Sequence, residues 1–471
     1  MYVKLLTRTL FQVDSCMYMK TKSNLMIVSI ILMLVFNSCS DMKDGVILQD
    51  DESIVLSPEE YVSVAYDTPK TISTQQAVDI VRNFSLQNST RSSVYPTVIN
   101  KKELSDTIRL QGKIKEVSIP IYELSLGNKG GYAIVSADER MPEIISYSTN
   151  SDLCTISHNI GAMKMKRMSE RVVLSRIAHI ELLKDSLREK TLEKLAKQLK
   201  VEKVNFNSIK NRVLVDSVTL ATRSEVKYPN ANKAWRYVLP MIKTKWDQGY
   251  PYNRLLDEAK GELHAGNNHL NAVGCAGVAS AQIIAFYRAI SSANGCILNW
   301  DRILSDPVVD KNSDEDILEQ VSQLMKCVAY GVKTEWNDSS DDGNTNIKNV
   351  YNYFNTINLT FDIRSKGKGY AMNATRIITS LDQGFPVFVT GNDTKTGNGH
   401  LWILDGYLMF KKDSNARMQI MASDTYIHAN FGWGGLYDGY YLVDSGTTDL
   451  TFQNQHDYSS GMMLYPNVRK K

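Results

Sequence analysis

Residues 272–287 read AVGCAGVASAQIIAFY, and no other stretch limits the fold so tightly. Gly274 and Cys275 open a run of small and apolar residues, the composition of a helix packed closely inside a core. A helix beginning near Cys275 directs its unpaired backbone N–H groups at the sulfur, and that local positive potential favours thiolate over thiol. The same run also describes an inert cysteine in a buried helix, so the rest of the chain has to discriminate.

At 471 residues, with 43% hydrophobic residues, the chain exceeds what one domain usually needs and can fill a sizeable core. Its 54 basic and 51 acidic side chains leave a formal net charge of +3, so no whole-molecule field argues for nucleic acid or anionic lipid as a partner. The cysteines at positions 16, 39, 154, 275, 296 and 327 include no CxxC pair, which suggests neither a disulfide framework nor a zinc ribbon. Pairing of Cys296 with Cys327 in an oxidising compartment is left open. No metal or cofactor is expected, because the spacing of His264, His269 and Cys275 fits no common zinc pattern.

Near the amino terminus, LMIVSIILMLVF at 25–36 follows Lys20 and Lys22 and is too short to span a bilayer as a helix. It reads as the apolar region of a signal peptide, with Met17 or Met19 the more ordinary start. Ser38 and Cys39 then resemble the cleavage box of bacterial lipoproteins, in which the cysteine is lipidated; an ordinary secretory signal is the alternative. Residues 40–60 are acidic and poor in aromatics, the composition of a flexible tether, and order is expected to resume near Val62. Alternating runs up to about Tyr147, among them IKEVSIPIYELSL and YAIVSADER, predict strands joined by a turn at Asn128 to Gly131. A helix follows over 163–199, with Val173, Ile177, Ile180, Leu183 and Leu187 on one stripe. The polar segment after it carries Arg212, Arg223 and Lys227, as an exposed connection open to proteases would, and a domain boundary is expected near 223.

Beyond that boundary come TKWDQGYPYN at 244–253, Cys275, GNGHLWILDGY at 397–407 and HANFGWGGLYDGYY at 428–441. Nucleophilic catalysis by cysteine needs a base, a group that orients the base, and donors for the oxyanion of a tetrahedral intermediate. His400 precedes a mostly apolar run that predicts a buried strand, which would hold its ring at a cleft edge. Asn430 carries a side-chain carbonyl able to accept an imidazole N–H, and Gln248 carries an NH2 able to join the Cys275 backbone N–H in an oxyanion hole. His428 is the rival base, since it too precedes a glycine-rich segment.

These residues carry a resemblance to the streptopain family of bacterial cysteine peptidases, which share the papain-like fold. Trp246, Gln248, Gly249, Pro251, Tyr252 and Asn253 match the family's W-x-Q-G-x-P-Y-N segment, and Gly274, Cys275, Ala279, Ala281 and Gln282 match its nucleophile pattern. Gly399, His400, Trp402, Asp405, Gly406 and Tyr407 match the segment of the base. His428, Asn430, Gly432, Trp433, Gly434, Gly435, Asp438, Gly439 and Tyr440 match the last motif. Residues 130–148 look like the family's prosegment, which in relatives covers the cleft until it is cut away. Phe431 stands where the family usually has tryptophan, and it loses an indole N–H. Ala276, Gly277 and Val278 replace V-A-T, and the added glycine is expected to loosen the site. Asp338, Asp341 and Asp342 make the loop at 335–345 more acidic than its family counterpart, a bias toward basic peptide side chains or simply a solvated surface.

The resemblance implies an α+β protein with a two-lobed papain-like domain over 223–471, preceded by a sheet-rich inhibitory prosegment with a long helix over 61–222, a tether over 40–60 and a leader over 1–39. It implies a cysteine endopeptidase made as a zymogen, with Cys275, His400, Gln248 and Asn430 catalytic, Gly399, Trp433 and Asp342 lining the substrate cleft, Arg223 at the processing site and Cys39 lipidated. Protein or peptide substrates and its own prosegment are the implied partners. Membrane contact is through a lipid anchor alone, at the bacterial outer membrane, or the enzyme is secreted after processing. The competing expectation is a surface binding protein of the same fold that has lost turnover.

Overall fold

Strand-forming runs in both halves of the chain meet in one antiparallel sheet of ten strands among the described residues. The computed structural model describes residues 54–88, 94–127, 130–151, 153–215, 234–261, 267–338, 342–392, 399–410, 424–444 and 461–471. The leader with Cys39, Arg223, His264 and Asp341 lie outside the described residues, as does half of the turn at 128–131.

The amino-terminal region contributes β1 (Ile54–Leu56), α1 (Pro58–Ala65), α2 (Thr74–Asn88), the long hairpin β2 (Thr97–Leu110) and β3 (Lys113–Ser125), β4 (Tyr132–Ser136), β5 (Ile144–Ser148), α3 (Ile160–Leu199) and β6 (Val213–Val215). The carboxy-terminal region contributes β7 (Arg236–Val238), α4 (Cys275–Tyr287), α5 (Glu315–Gly331), α6 (Ile347–Thr356), α7 (Ala374–Asp382), β8 (Val387–Asn392), β9 (Gly399–Met409), β10 (Asp424–Asn430), β11 (Gly439–Asp444) and β12 (Met463–Tyr465). The sheet runs β12-β8-β9-β10-β11-β5-β4-β3-β2, with β7 pairing to the far end of β9. The two regions join at β11 and β5, where Gly439 faces Ser148, Tyr440 faces Tyr147 and Tyr441 faces Ser146. Gly439 is required there, because a Cβ on it would lie 2.1 Å from the Tyr147 carbonyl oxygen.

β9 is buried on both faces, which explains its near-continuous apolar sequence. Leu401 and Ile403 point into the core of a helical lobe built from α4, α5 and α6. Trp402 and Leu404 point the other way, into a core that the carboxy-terminal sheet shares with α2, α3 and β2 to β5. Phe84 of α2 seats in that shared core, its ring 4.8 Å from Tyr426, 5.2 Å from Tyr147, 6.0 Å from Tyr440 and 6.1 Å from Phe410. Arg176 of α3 adds a buried ion pair across the join, 2.8 Å from Asp424 and 3.3 Å from Glu143.

α3 begins at Ile160, three residues before the expected start at 163, because the Asn159 side chain caps it by accepting the Ala162 N–H. Its 40 residues make a rod about 60 Å long. The far end packs in a satellite core of Ile54, Leu56, Val64, Leu195 and Phe206, closed by parallel pairing of β1 with β6. The tether expected over 40–60 is therefore folded from Ile54 onward. Acidic composition was outweighed by an apolar Ile-Val-Leu triplet and by a capping box in which Ser57 and Glu60 satisfy each other's backbone N–H groups. The polar connection after α3 is likewise docked as far as Val215.

The join between β11 and β5 is open to test. Gly439→Ala forces the strands apart and is expected to destabilise the full-length chain by about 2 kcal/mol, read as a lower urea midpoint; an unchanged midpoint would mean that the close approach is not needed.

Candidate active site

Gly274 sits immediately before α4 with φ +82°, and a Cβ there would lie 2.8 Å from the Gly343 carbonyl oxygen. Glycine thus allows the chain to turn sharply and present Cys275 at the first position of the helix, where backbone N–H groups are unpaired. Cys275 Sγ accepts the N–H of Leu401 at 3.4 Å, which brings the thiol to the edge of β9. Burial pushes the thiol up from its usual range, opposed by the N–H groups of Leu401 and Ala276 and reinforced by the charge of Asp342.

His400 lies beside Leu401 on β9. Its ring stacks on Trp402 at 5.9 Å and meets the edge of Trp433 at 6.4 Å. Its Nε2 is 3.1 Å from the carbonyl oxygen of Phe431. A carbonyl can only accept, so Nε2 carries the proton and a neutral ring leaves Nδ1 as its basic nitrogen. Gly161, in the first turn of α3, closes over this ring: a Cβ on Gly161 would lie 2.8 Å from His400 Cδ2 and 2.9 Å from the Phe431 ring. Burial lowers the imidazole to about 4, while the Phe431 carbonyl acts in the opposite sense. Covered in this way, the imidazole is kept neutral, while the half-buried thiol is biased toward its protonated form.

Asn430 does not orient His400 directly, contrary to the expectation above. Its Oδ1 accepts from Gln282 Nε2 at 2.9 Å and from the Gly432 N–H at 3.1 Å, and its Nδ2 donates to the Thr244 carbonyl at 3.0 Å. The orienting acceptor is a main-chain carbonyl, which leaves no residue-type signature in a sequence. Gln248 lies beside the turn that bears the thiol, its carbonyl accepting the Val273 N–H at 3.0 Å. Gly399 is exposed next to His400 and pairs with Asn392, and Trp433 is half-buried against the imidazole. Asp342 is exposed just before the second strand of a small hairpin that pairs residues 335–336 with 343–344. Trp336 fastens that hairpin through a 2.7 Å bond from Nε1 to the Ala272 carbonyl, just before Cys275. Asp338 lies farther out in the hairpin and pairs with Lys260 at 3.8 Å.

His428 is engaged elsewhere: its Nδ1 lies 2.6 Å from Asp405 Oδ1, and its ring packs edge-on against Tyr440 at 5.0 Å. Cys296 and Cys327 are free thiols, the latter 3.7 Å from the Tyr353 hydroxyl. Gly277 does not loosen α4, since a Cβ there would lie 2.9 Å from Val273 Cγ1; it is a point of close packing. Gln282 and Asp438 matched motif positions without a role being read for either. Asp438 Oδ1 accepts the Phe431 N–H at 2.8 Å, and burial pushes its carboxyl up to about 7.

A cysteine peptidase that still carries its covering domain is the class this geometry describes. Residues 246–441 match the Peptidase C10 family and residues 69–171 match the Spi protease inhibitor. The chain thus carries a Peptidase C10 domain preceded by an Spi-type prosegment domain. It is 23% identical over 374 residues to streptopain of Streptococcus pyogenes serotype M28, covering 72% of this chain and 77% of that one. Streptopain of serotype M1 is also 23% identical, over 371 residues, with the same coverage. Among solved structures, a Prevotella intermedia prointerpain A fragment aligns with TM-score 0.43 and 16% identity over 78% of this chain and 100% of that one. Active interpain A aligns with TM-score 0.36 and 18% identity over 52% and 99%.

Burial of the imidazole has a consequence for stability. Between pH 6.5 and about 4 the unfolded chain binds a proton at His400 that the folded chain refuses, so stability falls as the pH is lowered through that window. The difference amounts to about 3 kcal/mol. Urea unfolding of the full-length chain at pH 7 and pH 4 is expected to show this loss in the wild type and to show it reduced by that amount in His400→Gln. Equal losses in both would mean that the ring is not buried.

Proposed function

We propose that this chain is the zymogen of an endopeptidase in which Cys275 is the nucleophile and His400 the general base. The carrying observation is that Cys275, half-buried at the first position of α4, accepts the N–H of Leu401, the residue next to His400, whose buried ring lies beneath Gly161 of α3. Withdrawal of the prosegment, taken as residues 61–222 with cleavage at Arg223, returns water to the cleft and removes the desolvation that keeps both groups uncharged. The helix terminus and an imidazolium partner then favour thiolate, as the proton passes from sulfur to His400 Nδ1.

In the reaction, the thiolate attacks the scissile carbonyl carbon. The Cys275 N–H and the Gln248 side chain stabilise the oxyanion, each donor contributing on the order of 3 kcal/mol. His400 donates its proton to the leaving amine and then activates the water that hydrolyses the thioester. The Phe431 carbonyl keeps the ring upright throughout by accepting from Nε2. Gly399 and Trp433 flank the scissile bond. Asp342, exposed beside the thiol-bearing turn, selects for basic side chains; its charge already acts on Cys275.

The sequence around Cys39 supports lipid anchoring at the outer face of a bacterial envelope, with the mature enzyme released after cleavage. The domain over 223–471 is the released part.

The purified full-length chain is expected to shorten itself to a mature amino terminus near 223, mapped by mass spectrometry, and Cys275→Ala is expected to stay full-length. If both chains remain uncut and neither cleaves casein nor reacts with a thiol-directed peptide inhibitor, a turnover-deficient binding protein is the better account. Asp342→Asn is expected to lower kcat/KM for peptides with lysine or arginine near the scissile bond by about fivefold relative to neutral peptides, as one partly screened charge pair would. Equal ratios for the two peptide classes would remove Asp342 from the cleft.

A further inference from the structure

We infer that Gln282 is a positioning residue for His400, acting through Asn430 and the peptide unit that joins Phe431 to Gly432. This rests on the proposed role of His400 as the base. Gln282 is fully buried on α4, two turns from Cys275 on the same helical face, and its Nε2 donates to Asn430 Oδ1 at 2.9 Å. The same oxygen accepts the Gly432 N–H at 3.1 Å. That N–H and the Phe431 carbonyl are opposite ends of one peptide unit, and the carbonyl end is 3.1 Å from His400 Nε2. Hydrogen bonds linked through one amide polarise each other, so an acceptor held firmly on the N–H strengthens the carbonyl as an acceptor for the imidazole.

Main-chain groups dictate which way both side-chain amides face. The Thr244 carbonyl can only accept and is 3.0 Å from Asn430 Nδ2, while the Trp246 N–H can only donate and is 3.4 Å from Gln282 Oε1. The Thr244 hydroxyl adds a 3.0 Å bond to the same Gln282 oxygen. Gly432 turns the relayed peptide with φ +67°, a left-handed conformation that a side chain would strain, and a Cβ there would lie 3.1 Å from Val278 Cγ1 of α4. A single amide on the helix that carries the thiol therefore fixes the height of the carbonyl that holds the base. It also ties down the extended segment leading to Gln248.

The test uses full-length variants matured in trans by a trace of wild-type enzyme. Two quantities are followed against pH: hydrolysis of a peptide substrate and alkylation of Cys275 by iodoacetamide. Gln282→Met fills the same space without amide atoms and is expected to lower kcat by about tenfold, the effect of one lost orienting hydrogen bond. KM should stay within about twofold, and the alkylation midpoint should move to higher pH. Gln282→Glu keeps an acceptor toward Thr244 and Trp246. It can donate to Asn430 when protonated and cannot when ionised, so its rate relative to wild type is expected to fall as pH rises. Wild-type kcat and an unmoved alkylation midpoint in Gln282→Met would overturn the assignment, and if that variant does not fold, a pH-independent rate ratio in Gln282→Glu would do the same. Cys275→Ala and His400→Ala run alongside: activity in either sinks the underlying reading, whereas loss in both with unaffected Gln282 variants removes only the role of Gln282.

Discussion

The pairing of β5 with β11 is the constraint on which the remaining architecture hangs. It makes one sheet out of two regions of chain, and so aligns the amino-terminal strands with β9, where His400 sits. With that alignment set, α3 crosses the sheet and its first turn arrives over the imidazole. Hydroxyl bonds on either side of the pair stiffen it: Ser148 Oγ donates to the Asp438 carbonyl at 2.7 Å, and Ser151 Oγ accepts the Tyr437 N–H at 2.9 Å. Both reach the loop that runs from Phe431 to Asp438, which begins with the carbonyl that faces His400.

Under the proposed function, inhibition in this arrangement is electrostatic as much as steric. A thiol and an imidazole form a useful ion pair only if charge separation is solvated or stabilised by fixed dipoles. Gly161 packs against the imidazole and excludes water from that ring, and burial is the largest influence on both groups, driving the thiol up and the imidazole down. The helix terminus behind Cys275 and the Leu401 N–H work against this without overcoming it. On that proposal neither the helix nor β9 needs rebuilding on activation, because α4 and β9 already carry the thiol and the imidazole.

Much of this was legible in the residues. The small-residue run after Gly274 announces a packed helix, the apolar period of α3 is visible from Val173 to Leu187, and the alternating runs before Tyr147 are strands. What escaped detection has a common cause: it depends on main-chain groups or on very short segments. The Phe431 carbonyl belongs to no residue type, so the sequence pattern points to the side-chain carbonyl of Asn430 in its place. The Ile54 to Leu56 strand is three residues long, and its partner Val213 to Val215 lies far along the chain, so no local period reveals the pair. The capping box at Ser57 and Glu60 was readable, but an acidic composition masked it.

The departures from the family pattern take on a different weight once packing is known. Phe431 lacks an indole N–H, yet its ring is fully buried, 6.1 Å from Trp402 and 5.8 Å from Tyr441, with Gly161 of α3 against its edge. No polar partner is needed in that position, and the larger indole would press on the helix that covers the site. Shielding of the imidazole falls instead to Trp402 and Trp433. Gly277 fits the same pattern, since its missing Cβ is the space that Val273 occupies as the chain turns into α4. Both substitutions are thus answers to local packing around an intact thiol, imidazole and carbonyl, and neither removes a group that the proposed chemistry uses.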